Sequence, residues 1–228
     1  MHVYTTMKAS CGTALVCVIA ILAGSADAAR PTSATFTVTI QATVTKDWNT
    51  AVESTEGGCT VVRRSIGHRT VTLRSLRPTT VVVRVRSGKA SFSPSAVRFV
   101  TAKVTQSGEN RARKVQPCGS GTDRERCRPS TRRVSLGPLR FVRSRRNELT
   151  FRPTTLPRAG TACPRESAPV RAIRPGLRDA AGQIAEVELA GGAAQTAFAS
   201  ADATTDLEGA ETGRVVERVR WSMTFARP

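Results

Sequence analysis

The sequence predicts an all-β protein: an antiparallel β-sandwich, immunoglobulin-like or of a related build, stabilised by disulfides. Three observations carry that expectation. In Val215–Phe225 the apolar residues Val219, Trp221, Met223 and Phe225 share one parity, and Arg218, Arg220, Ser222 and Thr224 the other. Successive strand side chains point to opposite faces, so this rhythm makes one apolar and one wet face. The same alternation recurs in short runs separated by Gly, Pro and Asn turn signals, and no long segment has helical periodicity. Finally, an even set of four cysteines, Cys59, Cys118, Cys127 and Cys163, follows a stretch that reads as an export signal.

That stretch has Lys8 ahead of an apolar run, Ala14 to Ala23, then Gly24, Ser25, Ala26, Asp27 and Ala28. Ala26 and Ala28 suit the −3 and −1 positions of a cleavage after Ala28, making residues 1–28 a signal peptide. The run is half the length of about 20 residues that a bilayer span needs, which favours a leader over an anchor. Cys11 precedes the run and Cys17 lies inside it, so neither suits lipid attachment. No later segment is apolar enough to act as an anchor. The expected location is secreted or cell-envelope-associated. Residues 29–228 are read as one sandwich domain. The alternative is two small β subdomains, about 32–115 and 116–228, suggested by the echo of Leu76-Arg77-Pro78-Thr79-Thr80 in Phe151-Arg152-Pro153-Thr154-Thr155.

In chain order, Thr35–Val44 is the first strand, with Phe36, Val38, Ile40, Ala42 and Val44 inward. The polar stretch from Asp47 to Gly58 reads as a loop. Thr60–Arg64 and Thr70–Ser75 read as strands joined by a hairpin connection at Ser65-Ile66-Gly67-His68, with Val71 and Leu73 inward. Pro78 breaks the run. Thr80–Arg86 follows with Val81, Val83 and Val85 inward, then a turn at Ser87-Gly88-Lys89. Within Ala96–Val104 the parity changes after Phe99, the signature of a β-bulge. Gln106–Arg132 is polar, Arg-rich and read as a long loop. Val134, Leu136, Leu139 and Phe141, then Leu149 and Phe151, suggest a strand pair around Arg145-Arg146-Asn147. Pro153–Arg178 is expected to be irregular. Ile184–Leu189 reads as a strand with Ala185, Val187 and Leu189 inward. Gly191–Gly213, rich in Ala, Thr and Gly, leaves room for a short helix.

For the cysteines, Gly119, Ser120 and Gly121 let a short segment turn back, which favours Cys118–Cys127 and leaves Cys59–Cys163. Zinc is the rival reading. The spacings are wide, there is no CxxC pair, and residues 29–228 hold one histidine, His68.

Net charge is +18 and uneven: residues 60–178 sum to +23, and residues 179–213 to −7. A basic middle of this kind suits an anionic polymer, such as an anionic cell-wall polymer or an acidic polysaccharide. Candidate contacts are Arg74, Arg84, Arg86, Arg98 and Arg140, which all lie opposite apolar neighbours. The competing reading is that these arginines merely solvate the outer strand faces, since Arg supplies 30 of the 35 basic residues and the composition is that of high-GC coding. Nucleic acid ranks low, because strand binding wants several interleaved aromatic platforms. No cofactor signature is present: there is no phosphate loop or dinucleotide fingerprint. His68 would have to serve any Ser/His/Asp mechanism, and no GxSxG accompanies it. Glu186 and Glu188 fall on one strand parity, as a glycosidase pair can. Asp202, Asp206, Glu208 and Glu211 are the calcium candidates, without EF-hand order. Trp48 is either a sugar platform or a core residue.

The leader, the Thr-rich first strand, the spaced cysteines, Cys163-Pro164 and the terminal Val219-x-Trp221-x-Met223-x-Phe225 together resemble secreted β-rich proteins of high-GC Gram-positive bacteria that have no assigned activity. The resemblance implies export and β structure. The expected function is a non-catalytic extracellular or cell-envelope module with an Arg-rich contact face. The alternatives are a secreted hydrolase built on carboxylates, and a protease inhibitor presenting residues 106–132.

Overall fold

The computed structural model describes residues 32–87, 89–115, 119–144, 146–152, 155–158, 163–173 and 176–228. The expected leader and Cys118 lie outside them. The described chain is mostly antiparallel β, as the alternation requires. One sheet has eight strands and dominates. Its central strand is β1 (Thr32–Glu56), flanked on one edge by β12 (Glu211–Ala226) and on the other by β2 (Cys59–Ser75). Beyond β2 lie β6 (Val100–Val115) and β7 (Thr122–Leu136), and beyond β12 lies β11 (Gln195–Leu207). After β2 ends at Ser75, β3 (Thr79–Arg86) continues along the same edge of β1, pairing Thr79 with Val38, and turns into β4 (Lys89–Ser93). The Ser75 hydroxyl fills the break by accepting from the Ile40 N–H at 2.8 Å.

A four-stranded sheet of short strands, β10 (Gly182–Gln183), β9 (Glu148–Phe151), β8 (Leu139–Arg143) and β5 (Ala96–Val97), lies over one end of the inner face. The apolar parities meet there. Phe36, Val38 and Ile40 of β1 and Trp221, Met223 and Phe225 of β12 are buried with Leu139, Phe141, Leu149 and Phe151. Edge-on ring contacts, Phe151 on Trp221 at 4.9 Å and Phe92 on Phe141 at 5.4 Å, tie the layers together. The end of the large sheet under this cover is called basal below, and the rest distal.

Several local expectations are corrected. The stretch from Asp47 to Gly58 is not a loop: β1 runs on to Glu56, and only Gly57-Gly58 turn. Ser65–His68 is no hairpin connection, because β2 is continuous across it and Gly67 is buried. A Cβ at Gly67 would run into the Trp48 ring, which explains the glycine in mid-strand. The parity change near Phe99 is not a bulge. The chain leaves the small sheet after Val97 and enters the large one at Val100, exposing Phe99. Within 106–132, residues 106–115 and 122–132 are paired strands, β6 against β7, rather than parts of a long loop. The expected strand Ile184–Leu189 is instead largely a one-turn helix, α2 (Glu186–Ala190): Leu189 is buried as expected, but Ala185 and Val187 are exposed and Glu186 is buried. Residues 195–207 form a strand where a helix was considered.

Candidate functional site

The two faces of the large sheet differ in chemistry, and each changes along the strands. On the solvent face of the basal half, register places two rungs side by side. One carries Phe198, Ser222, Gln41, Arg74 and Thr101, and the next Ser200, Arg220, Thr43, Thr72, Lys103 and Arg133. Their parity is opposite to that of the buried valines, leucines and aromatics, so all project outward. Gln41, Thr43, Thr72, Arg74, Phe198, Ser200, Arg220 and Ser222 line an open recess of about 1020 Å³. Among the described residues Arg74, Arg220, Lys103 and Arg133 form no ion pair.

Further along the same face several cations are paired with carboxylates, although among the described residues Arg64 and Arg113 are not. Asp47 accepts from Arg218 at 2.8 Å and Asp206 from Arg214 at 2.7 Å, while Glu109 is held between Arg111 and Arg124. A second open recess of about 810 Å³ here includes Asp47, Arg64, His68, Asp206 and Arg214. His68 lies directly across from Asp47, with Nδ1 at 2.5 Å from its carboxylate and Nε2 at 2.8 Å from the Thr70 hydroxyl. The order Asp–His–Thr is that of a nucleophile relay. The surroundings argue against one. Strand β2 is paired on both edges at Thr70, with Thr45 and Thr105, so its neighbouring N–H groups serve the ladders rather than an oxyanion.

Beneath, on the inner face of the distal half, the strands carry a rung of polar side chains: Glu217, Lys46, Arg69 and Gln106, adjacent across β12, β1, β2 and β6. A strap, residues 163–173, crosses over them. Cys163 anchors it to β7 through a disulfide with Cys127, with a Cα–Cα distance of 5.4 Å. Gln106 donates to the Pro164 carbonyl at 3.0 Å, Ser65 to the Arg165 carbonyl at 3.0 Å, and Arg69 to the Glu166 carboxylate at 2.7 Å. The Lys46 ammonium donates to the carbonyls of Val170 and Ile173, at the end of a one-turn helix, α1 (Ala168–Ala172), that Ser167 caps. Trp48, Val170 and Val215 close a small apolar cluster beyond the rung. Desolvation by burial lowers Lys46 to about 8, with the neighbouring Glu166 charge opposing the shift. Burial also pulls Arg69 below its ordinary value and pushes the Glu217 carboxyl up. One Glu217 oxygen is buried without a hydrogen-bond partner.

The candidate arginines do not converge on one site. Arg74, Arg84 and Arg86 share the solvent face of the large sheet, Arg84 and Arg86 on β3 near its end. Arg140 is exposed on the small sheet, beside the buried Leu139 and Phe141, and points away from the large one. Arg98 is exposed where the chain passes between sheets, its N–H bound to Thr79 at 3.0 Å. Arg220 and Lys103, which do stand near Arg74, are visible in the sequence only once the register is known. The expected cysteine pairing is overturned: Cys127 bonds Cys163, not Cys118, and Cys59 is disulfide-bonded elsewhere, so Cys59–Cys163 fails too. The Gly-rich segment after Cys118 suggested a tight local loop. In the fold Cys127 instead lies within a paired strand, where its side chain faces the strap.

Glu186 and Glu188 do not form a carboxylate pair. Glu186 is buried against Arg143 and accepts the Ala90 N–H at 3.3 Å, whereas Glu188 is exposed. Asp202, Asp206, Glu208 and Glu211 do not assemble: among the described residues no three or more His, Cys, Asp or Glu side chains could hold a metal. Trp48 is buried and is a core residue rather than a sugar platform. No helix among the described residues is long and apolar enough to cross a membrane. Comparison with known proteins adds no relative: no protein-family model, curated protein or solved structure matches the chain.

Proposed function

We propose that the chain is a non-catalytic, exported binding module that holds an anionic polymer on the basal half of its large sheet's solvent face. The observation that carries this reading is the group of unpaired cations at and beside the basal recess. Arg74, Arg220, Lys103 and Arg133 have no carboxylate partner among the described residues, while Arg214 and Arg218 on the same face each have one. A polymer lying across the recess would supply the anions that these cations lack. Threonine, serine and glutamine side chains between them offer hydrogen bonds, and the open recess gives a chain room to lie across the strands. Rigidity comes from below, because every strand of the face is anchored in the apolar core. An exported envelope module fits the leader-like N-terminus and the disulfides. Retention on an anionic matrix tests the reading. At low ionic strength the protein should bind and elute with a steep salt dependence, as displaced counterions require; passage through the column at every salt concentration would contradict it.

A further inference from the structure

Building on that reading, we infer that the polymer is an anionic polysaccharide and that Phe198 is the platform for one of its sugar rings. Phe198 is 70% exposed, yet it stands in the middle of a strand rather than in a loop. Register sets it opposite Ser222, which in turn faces Gln41, so hydroxyl and amide groups, not apolar side chains, frame the ring. It lines the same recess as Arg74 and Arg220. Taking about 4.8 Å between strands and about 6.8 Å between rungs, Arg220 lies roughly 8 Å from Phe198 and Arg74 roughly 14 Å along the same rung.

The combination selects the ligand. An exposed aromatic face leaves apolar surface in water, and its natural partner is a flat apolar face with polar edges. A pyranose ring has that shape: C–H bonds above and below, hydroxyls around the rim. Ser222, Gln41 and Thr43 are placed to meet the rim, and the guanidinium groups of Arg220 and Arg74 to meet carboxylates or sulfates on the neighbouring sugars, with bidentate geometry. A polyphosphate chain has no apolar face and would leave Phe198 uncovered. Single-stranded nucleic acid would need successive aromatic platforms, and this recess presents one.

The test is a matched pair of affinity measurements on the full exported chain, against polygalacturonate and against inorganic polyphosphate of similar charge number. Wild type is compared with Phe198→Ala, Phe198→Trp and Arg74→Ser. Because Phe198 is exposed, its removal leaves the core untouched. The expected result is a roughly tenfold weaker hold on polygalacturonate in Phe198→Ala, no change for polyphosphate, recovery in Phe198→Trp, and loss for both polymers in Arg74→Ser. If Phe198→Ala leaves polygalacturonate binding unchanged while Arg74→Ser weakens both, or if wild type holds polyphosphate alone, the sugar assignment is wrong and the anion-binding face stands. If wild type holds neither polymer, or Arg74→Ser alters neither, the anion-binding face itself is wrong.

Discussion

At Arg74 and Arg220 the large sheet shows cations with no carboxylate partner among the described residues, whereas further along the same face Arg214 and Arg218 are held by Asp206 and Asp47. The inner face changes over the same distance. Under the unpaired cations it is apolar and roofed by the small sheet; under the paired ones it carries Glu217, Lys46, Arg69 and Gln106, roofed by a disulfide-anchored strap. One set of strands thus serves two tasks. The basal half is held by packing, which leaves its outer side chains free to be a binding surface. The distal half is held by polar contacts, and several of its outer charges are already paired.

That contrast is most sharply broken at Arg69. Removing it as Arg69→Ala strands Glu166 as a buried charge and should cost about 3–5 kcal/mol in urea unfolding. Replacing both partners by apolar residues, Arg69→Met with Glu166→Met, should cost far less, since no buried charge is left alone. If the single and the double variant are equally damaging, the distal half depends on something other than this ion pair.

Next in size is the strap's anchor. Cys127 and Cys163 are 36 residues apart, so Cys163→Ser should lower stability by about 3–4 kcal/mol on the loop-entropy model. It should also uncover Lys46. Amine-reactive labelling followed by peptide mass mapping should find Lys46 protected in the oxidised protein and modified in the variant. Protection that persists would mean the hydrogen bonds alone hold the strap.

A smaller effect is expected from pH. Burial holds Lys46 at about 8, against an ordinary value of 10.5. Between these values the unfolded chain keeps a proton that the folded chain has lost. Stability should therefore rise as pH increases from about 8 to 10.5, the whole penalty being present below 8. Glu217 acts in the other direction. Its raised folded value makes its contribution fall as pH climbs from 4.5 through that value. Urea midpoints of Lys46→Met should lack the alkaline rise, and an unchanged slope would place its origin elsewhere. The least effect belongs to the outer pair in the distal half. Arg214→Ser with Asp206→Ser removes an exposed ion pair and should leave the unfolding midpoint where it was.

The basal half is legible in the sequence because its inward positions are almost all apolar: Phe36, Val38 and Ile40, or Trp221, Met223 and Phe225, announce a strand by parity alone. In the distal half the same parity continues, but Lys46, Arg69 and Glu217 occupy it. An inward charge mimics the end of a strand, so β1 reads as stopping at Val44 and β2 as broken between Arg64 and Thr70. Trp48 and Thr50 carry the rhythm on, yet only the partner strands make that visible. The cysteines fail for a related reason. Glycines beside Cys118 argue for a local loop, while the bond that forms depends on where a distant strap crosses β7. Among the proposed contact residues, Arg74 is legible by its alternation with Leu73. Phe198 is hidden, because the inward face of its strand is only alanine, Ala197, Ala199 and Ala201, which makes the alternation faint.

The salt dependence of polygalacturonate binding, measured for wild type, for Arg74→Ser with Arg220→Ser, and for Arg214→Ser with Asp206→Ser, puts the contrast between the two halves to its most direct test. The first pair should weaken binding and reduce the slope of log affinity against log salt by roughly 0.7–0.9 for each cation removed. The second pair should leave both affinity and slope at their wild-type values. Equal losses from the two pairs, or none from the first, would contradict the assignment of binding to the basal half of the sheet.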